Sequence, residues 1–139
     1  MSKWNYLRKC RRCLVNKRLF LLFFVFTPVL AACAFGYQAR GSLSDVAGEL
    51  RGKGYPGNSG GGRFVLSDGS GTLTCDGNAQ PPAVSPNPGT CQGERGKGTA
   101  RCTDGREIAF VWQAITCRSL QGSGVDGKGN RLEFVVERR

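Results

Sequence analysis

The chain has 139 residues, with 20 Lys and Arg against 10 Asp and Glu, 21 Gly, 7 Cys and no His. That length suits one domain with a tail, and the absence of His removes the usual general base at neutral pH, which weighs against catalysis. The formal charge of +10 would suggest nucleic acid as a partner, but seven basic residues crowd into the first 18 positions and the remaining 13 basic and 10 acidic residues leave only +3, so no nucleic acid is expected.

Residues 1–18 (Lys3, Arg8, Lys9, Arg11, Arg12, Lys17 and Arg18) form a basic leader without an acid, followed over 19–30 by the apolar run LFLLFFVFTPVL. Twelve residues fall short of the ~20 that a membrane-spanning helix needs, but they have the proportions of the helical core of a signal peptide. Pro28 interrupts a helix near its end. The next four residues, Leu30-Ala31-Ala32-Cys33, resemble the lipobox of bacterial lipoproteins. The resemblance implies cleavage between Ala32 and Cys33, diacylglycerol on the Cys33 thiol and an acyl chain such as palmitate on the new amine. It also implies a periplasm-facing or surface-exposed protein held at the outer membrane, because Ala34 replaces the Asp that retains such proteins at the inner membrane. Arg11-Arg12 bears a fainter likeness to a twin-arginine export motif, although the strongly apolar run favours the general secretory route. Cys10 and Cys13 form a C-x-x-C inside the segment to be discarded, where it carries no chemistry.

The expected organisation is a signal peptide over 1–32, a flexible lipidated tether over 33–43 and a Gly-rich, disulfide-stapled β domain over 44–139. Residues 43–50 have room for one or two helical turns, and 52–63 read as a flexible loop. That loop contains Gly57-Asn58-Ser59-Gly60-Gly61, which resembles the segment around the nucleophile of trypsin-like serine proteases. The serine of that family needs a His base, so proteolysis is rejected. Phe64 and Leu66 mark a strand and Leu73 another. Further on, Ile108, Phe110 and Trp112 share one face, as do Leu132, Phe134 and Val136 with Glu133 and Glu137 opposite. Asp68-Gly69, Asp76-Gly77, Asp104-Gly105 and Asp126-Gly127 read as hairpin turns of type I′. The fold class is therefore all-β, a small antiparallel meander closed as a barrel or packed as a sandwich.

A repeat runs through this domain. Gly69-x-Gly71-Thr72-x-x-Cys75 recurs as Gly96-x-Gly98-Thr99-x-x-Cys102, and Cys91-x4-Gly96-x-Gly98 recurs as Cys117-x4-Gly122-x-Gly124. Beyond Cys33 the chain holds four cysteines, Cys75, Cys91, Cys102 and Cys117. An exported protein meets an oxidising compartment, so two disulfides are expected, and no C-x2-4-C pair favours zinc there. If each repeat closes its own loop, the pairs are Cys75–Cys91 and Cys102–Cys117. Residues 79–90 (AQPPAVSPNPGT) hold four of the six prolines and no charge, which reads as an irregular loop closed at its base by Cys75 and Cys91.

Glu94 and Glu107 are the carboxylates considered for acid–base work. Arg101, Arg106, Arg118 and Arg131 fall in or beside strands, where they either line a stripe for envelope phosphates, polysaccharide or an acidic protein, or pair with neighbouring acids. Arg138 and Arg139 are expected to end the chain in solvent. The reading is a lipid-anchored envelope protein, a non-catalytic binding or structural module without cofactor or metal. The alternative is an inhibitor or immunity-type protein acting on an envelope-lytic enzyme.

Overall fold

The alternation Ile108-Phe110-Trp112 belongs to the inner face of a closed barrel. A computed structural model describes residues 36–87 and 89–139. The expected signal segment and its expected helix, the lipobox-like Leu30-Ala31-Ala32-Cys33 and the expected cleavage between Ala32 and Cys33 lie outside the described residues.

Among the described residues eight strands follow one another: β1 (Tyr37–Leu43), β2 (Leu50–Pro56), β3 (Gly62–Ser67), β4 (Thr74–Ala79), β5 (Arg95–Cys102), β6 (Glu107–Thr116), β7 (Ser119–Asp126) and β8 (Arg131–Arg138). Each pairs antiparallel with the one before it, and β8 returns to β1, with Tyr37 opposite Arg138 and Leu43 opposite Leu132. The meander is thus a barrel, and closure leaves no free sheet edge. Inward positions are apolar, while Arg40, Arg63, Glu133 and Glu137 point outward. That is the inverse of a membrane-spanning barrel, whose outer band is apolar.

The interior is filled by a pairing of large rings with absent side chains. Phe64 on β3 faces Gly54 on β2 and Gly77 on β4. Phe110 on β6 lies between Gly98 on β5 and Gly124 on β7, and Trp112 lies between Gly96 and Gly122 of the same strands. Phe134 on β8 lies between Gly122 and Gly41. A side chain at Gly77 or Gly98 would occupy the space taken by the ring of Phe64 or Phe110. The rings can therefore turn inward and meet, with centroids 4.2 Å (Phe64–Phe134), 5.0 Å (Phe110–Phe134) and 5.5 Å (Phe64–Phe110) apart. The last two fall in the usual range of about 4.5–7 Å for aromatic pairs, and Phe64 and Phe134 approach slightly closer.

This pairing explains several departures from the sequence reading. The expected tether over 33–43 contains β1, whose Ala39 and Leu43 are core residues. The flexible loop expected over 52–63 contains most of β2 and opens β3. Asp76-Gly77 is not a turn but the middle of β4, with Gly77 under Phe64. Residues 43–50 form turns without a helix, ending β1 and starting β2. Leu73 is buried just ahead of β4, inside the turn.

The other three Asp-Gly pairs do sit between strands, but not as type I′ turns. Positive φ occurs at Gly71, Gly105 and Gly129, whose amides close turns onto the carbonyls of Asp68, Cys102 and Asp126. This is the geometry of a type I turn followed by a left-handed glycine. At all three turns the aspartate carboxylate takes up loop amides: Asp68 accepts from Leu73, Asp104 from Arg106, and Asp126 from Lys128 and Asn130.

The disulfides are Cys75–Cys102 and Cys91–Cys117, which corrects the pairing Cys75–Cys91 and Cys102–Cys117. Cys75 and Cys102 are direct cross-strand partners on β4 and β5. The first half of the repeat is not a structural unit, because Gly69 and Gly71 lie in a turn whereas Gly96 and Gly98 lie within β5. The second half is one. Cys91 and Cys117 precede β5 and β7, the two strands that flank β6, and they bond to each other.

Candidate functional site

The two ends of the barrel differ. One is sealed by Leu43, Leu50, Leu66, Ile108 and Leu132, all essentially inaccessible. Over it lies an ionic knot formed by three hairpin turns. Arg106 in the β5–β6 turn bonds Asp45 in the β1–β2 turn at 2.8 Å and Asp104 at 2.7 Å, and stands 3.6 Å from Asp126 at the end of β7. The hydrogen bond from Arg106 holds the carboxyls of Asp45 and Asp104 below the ordinary range. Asp126 is lowered first by the Asn130 side chain, 2.8 Å away, then by the amides of Asn130 and Lys128 and by Arg106. Asp45 and Asp104 in turn raise the Arg106 guanidinium.

The other end is open. Small inward residues, Ala79 at the end of β4 and Ala114 near the end of β6, leave a cavity of about 260 Å³. Phe64, Trp112 and Val136 form its floor, with Tyr37 and Leu120 on the walls. The Trp112 indole N–H donates to the Gln80 carbonyl at 3.1 Å, so the floor keeps an apolar surface with its one polar atom satisfied. Tyr55, Arg63, Glu94 and Arg118 form the rim together with the loop 57–61.

Arg63 grips both carboxylate oxygens of Asp76, one at 2.8 Å, and its guanidinium lies 5.9 Å from the Tyr55 ring centroid. The hydrogen bond from Arg63 lowers the Asp76 carboxyl, despite an opposing effect of partial burial. Glu94 accepts from Ser85 at 3.2 Å. Arg118 has no ion pair among the described residues. The Cys91–Cys117 bridge clamps the proline-rich loop to the β6–β7 turn on this rim.

The structure separates residues that the sequence had grouped. Glu94 stands at the mouth while Glu107 stands beside the ionic knot, 3.4 Å from Arg101, so these carboxylates do not form a catalytic pair. The four arginines form no common stripe. Arg101 pairs with Glu107, Arg131 approaches Glu133 at 3.7 Å, Arg106 ties the knot and Arg118 lies at the mouth. Arg138 belongs to β8 rather than to a free tail. Gly57-Asn58-Ser59-Gly60-Gly61 forms the tight β2–β3 connection, with φ of 82° at Gly60 and 67° at Gly61.

The mouth escaped the sequence reading. Its signal was the placement of alanine at inward positions where the other strands carry Leu, Phe or Trp, and this becomes visible only once the register is known. Comparison of the chain with protein-family models, with curated proteins and with solved structures finds no match.

Proposed function

We propose that this chain is a lipid-anchored, non-catalytic binding module of a bacterial cell envelope, held at the outer membrane through acylated Cys33. The observation that carries the reading is the use of cysteine. Cys75, Cys91, Cys102 and Cys117 are all consumed in two disulfides, which leaves Cys33 as the one remaining cysteine of the expected mature chain. Two disulfides accord with an exported domain, and the lipobox-like Leu30-Ala31-Ala32-Cys33 gives the remaining thiol a use. The barrel contributes a rigid scaffold whose open mouth is the natural place to bind.

The test is replacement of Cys33 by Ser in the full chain. Labelled palmitate is expected to disappear from the protein, and the protein to leave the membrane fraction. Unchanged anchoring would overturn the reading. Separation of inner and outer membranes of cells carrying the unaltered chain then places the anchor.

A second reading, an inhibitor of an envelope-lytic enzyme, draws on one observation: the Cys91–Cys117 bridge holds the proline-rich loop at the rim. It requires a stoichiometric loss of muramidase activity on addition of the protein. The binding module requires none.

A further inference from the structure

We infer that the barrel mouth binds the alkyl chain of a single-chain anionic amphiphile, such as a fatty acid or a lysophospholipid, with its charged head at Arg118. The inference rests on the lipid-anchor reading for the ligand's source and on the barrel alone for its chemistry.

Three observations converge. The cavity floor is Phe64, Trp112 and Val136, with the indole N–H already engaged by Gln80, so the floor offers apolar contact and no free donor. A volume of about 260 Å³ lies below the ~300–1,000 Å³ usual for drug-sized ligands, which suits a slim chain rather than a fused ring system. Among the rim cations, Arg63 is committed to Asp76, whereas Arg118 is unengaged and can receive a carboxylate or phosphate.

Position supplies the source. β1 begins at Tyr37 on the cavity wall, four residues after Cys33. At full extension four residues span about 14 Å. With Cys33 acylated, chain length alone keeps Tyr37 within that distance of the anchor, which makes membrane acyl chains the nearest source of such a ligand.

The full chain is expressed in bacteria fed a diazirine-bearing fatty acid, irradiated, purified and digested for mass spectrometry. Adducts are expected on peptides containing Tyr37, Trp112 or Leu120, and their mass separates free fatty acid from a lysophospholipid. Ala114→Phe, which fills the mouth, should reduce them at least tenfold, and Val111→Phe on the outer wall should not. Arg118→Glu leaves the core untouched and should reduce them several-fold, which keeps the test decisive if Ala114→Phe fails to form both disulfides. Adducts spread over the outer strands, or unmoved by Ala114→Phe and Arg118→Glu, would overturn the inference. So would a crosslink joining the mouth to the Cys33 peptide, because that chain carries no anionic head. The same digest reports acylation of Cys33. Mouth adducts on a chain unmodified at Cys33 would sink the anchor alone, and an acylated chain without mouth adducts would sink the ligand alone.

Discussion

Gly96 on β5 stands directly opposite Trp112 on β6, and a Cβ at position 96 would lie 2.5 Å from the indole nitrogen. The two residues act as one packing unit, the large ring filling the space that the glycine leaves. Adding a methyl there must displace either the ring or the strand.

Gly96→Ala should therefore cost about 1–3 kcal/mol, the usual range for overpacking. Gly69→Ala, at a turn position with open space around it and no positive φ, should stay within about 0.5 kcal/mol. Urea unfolding of both variants checks the contrast. Equal losses at the two positions would refute the packing account.

Peptide mapping without reduction should recover Cys75–Cys102 and Cys91–Cys117 and no Cys75–Cys91. Removing Cys75 and Cys102 together should cost about 3.5 kcal/mol in the chain-entropy model for a loop of this length, given a sequence separation of 27. The two loops overlap in sequence, so the costs of removing both bridges should not add.

The knot at the sealed end predicts a particular acid response. Asp45, Asp104 and Asp126 have folded-state values below the ordinary carboxylate value of about 4, so their stabilisation is present above that pH and is lost as pH falls through the folded values. Arg106→Gln should lower the urea midpoint at pH 7 and lower it by less at pH 2.5, because the stabilisation fades as pH falls below the ordinary carboxylate value. A constant difference at both values would show that Arg106 acts through packing instead.

Trp112 is the only tryptophan after Cys33, the other being Trp4 in the leader. It is 3% exposed, so emission of the barrel, prepared without residues 1–32, should be blue-shifted and should move to the red in a single step on unfolding. Trp112→Phe leaves the Gln80 carbonyl without its donor and a gap in the floor. A loss of about 0.5–1.5 kcal/mol is expected from the hydrogen bond alone, since Gln80 is exposed and water can reach its carbonyl.

The sequence announced the strands that carry rings and long aliphatics. Phe64 and Leu66, the alternation from Ile108 to Trp112 and that from Leu132 to Val136 all face inward as read. Their partners were concealed because the complement of a phenyl ring across a strand pair is glycine, which in one dimension looks like a linker. β1, β2 and β4 were misread for that reason, and the tether over 33–43 was the largest casualty. The disulfide pairing failed for a related reason. Similar spacings around Cys75 and Cys102 hid different local structures, and the two cysteines are neighbours only because β4 pairs with β5. The open mouth depends on which alanines face inward and at which end, information held in the register rather than in any local motif.

The order of cysteines along the chain has a consequence for the way this protein matures. Cys75 bonds the third of the four rather than the second, and Cys91 bonds the last. If the chain is exported from its N-terminal end, as proposed, Cys75 and Cys91 both emerge before Cys102 and Cys117. An oxidase that joins thiols as they appear would trap a pair that the barrel must later undo. On the proposed export reading a reshuffling enzyme should raise the yield of the correctly bridged barrel, and cells that lack one should accumulate a misbridged chain.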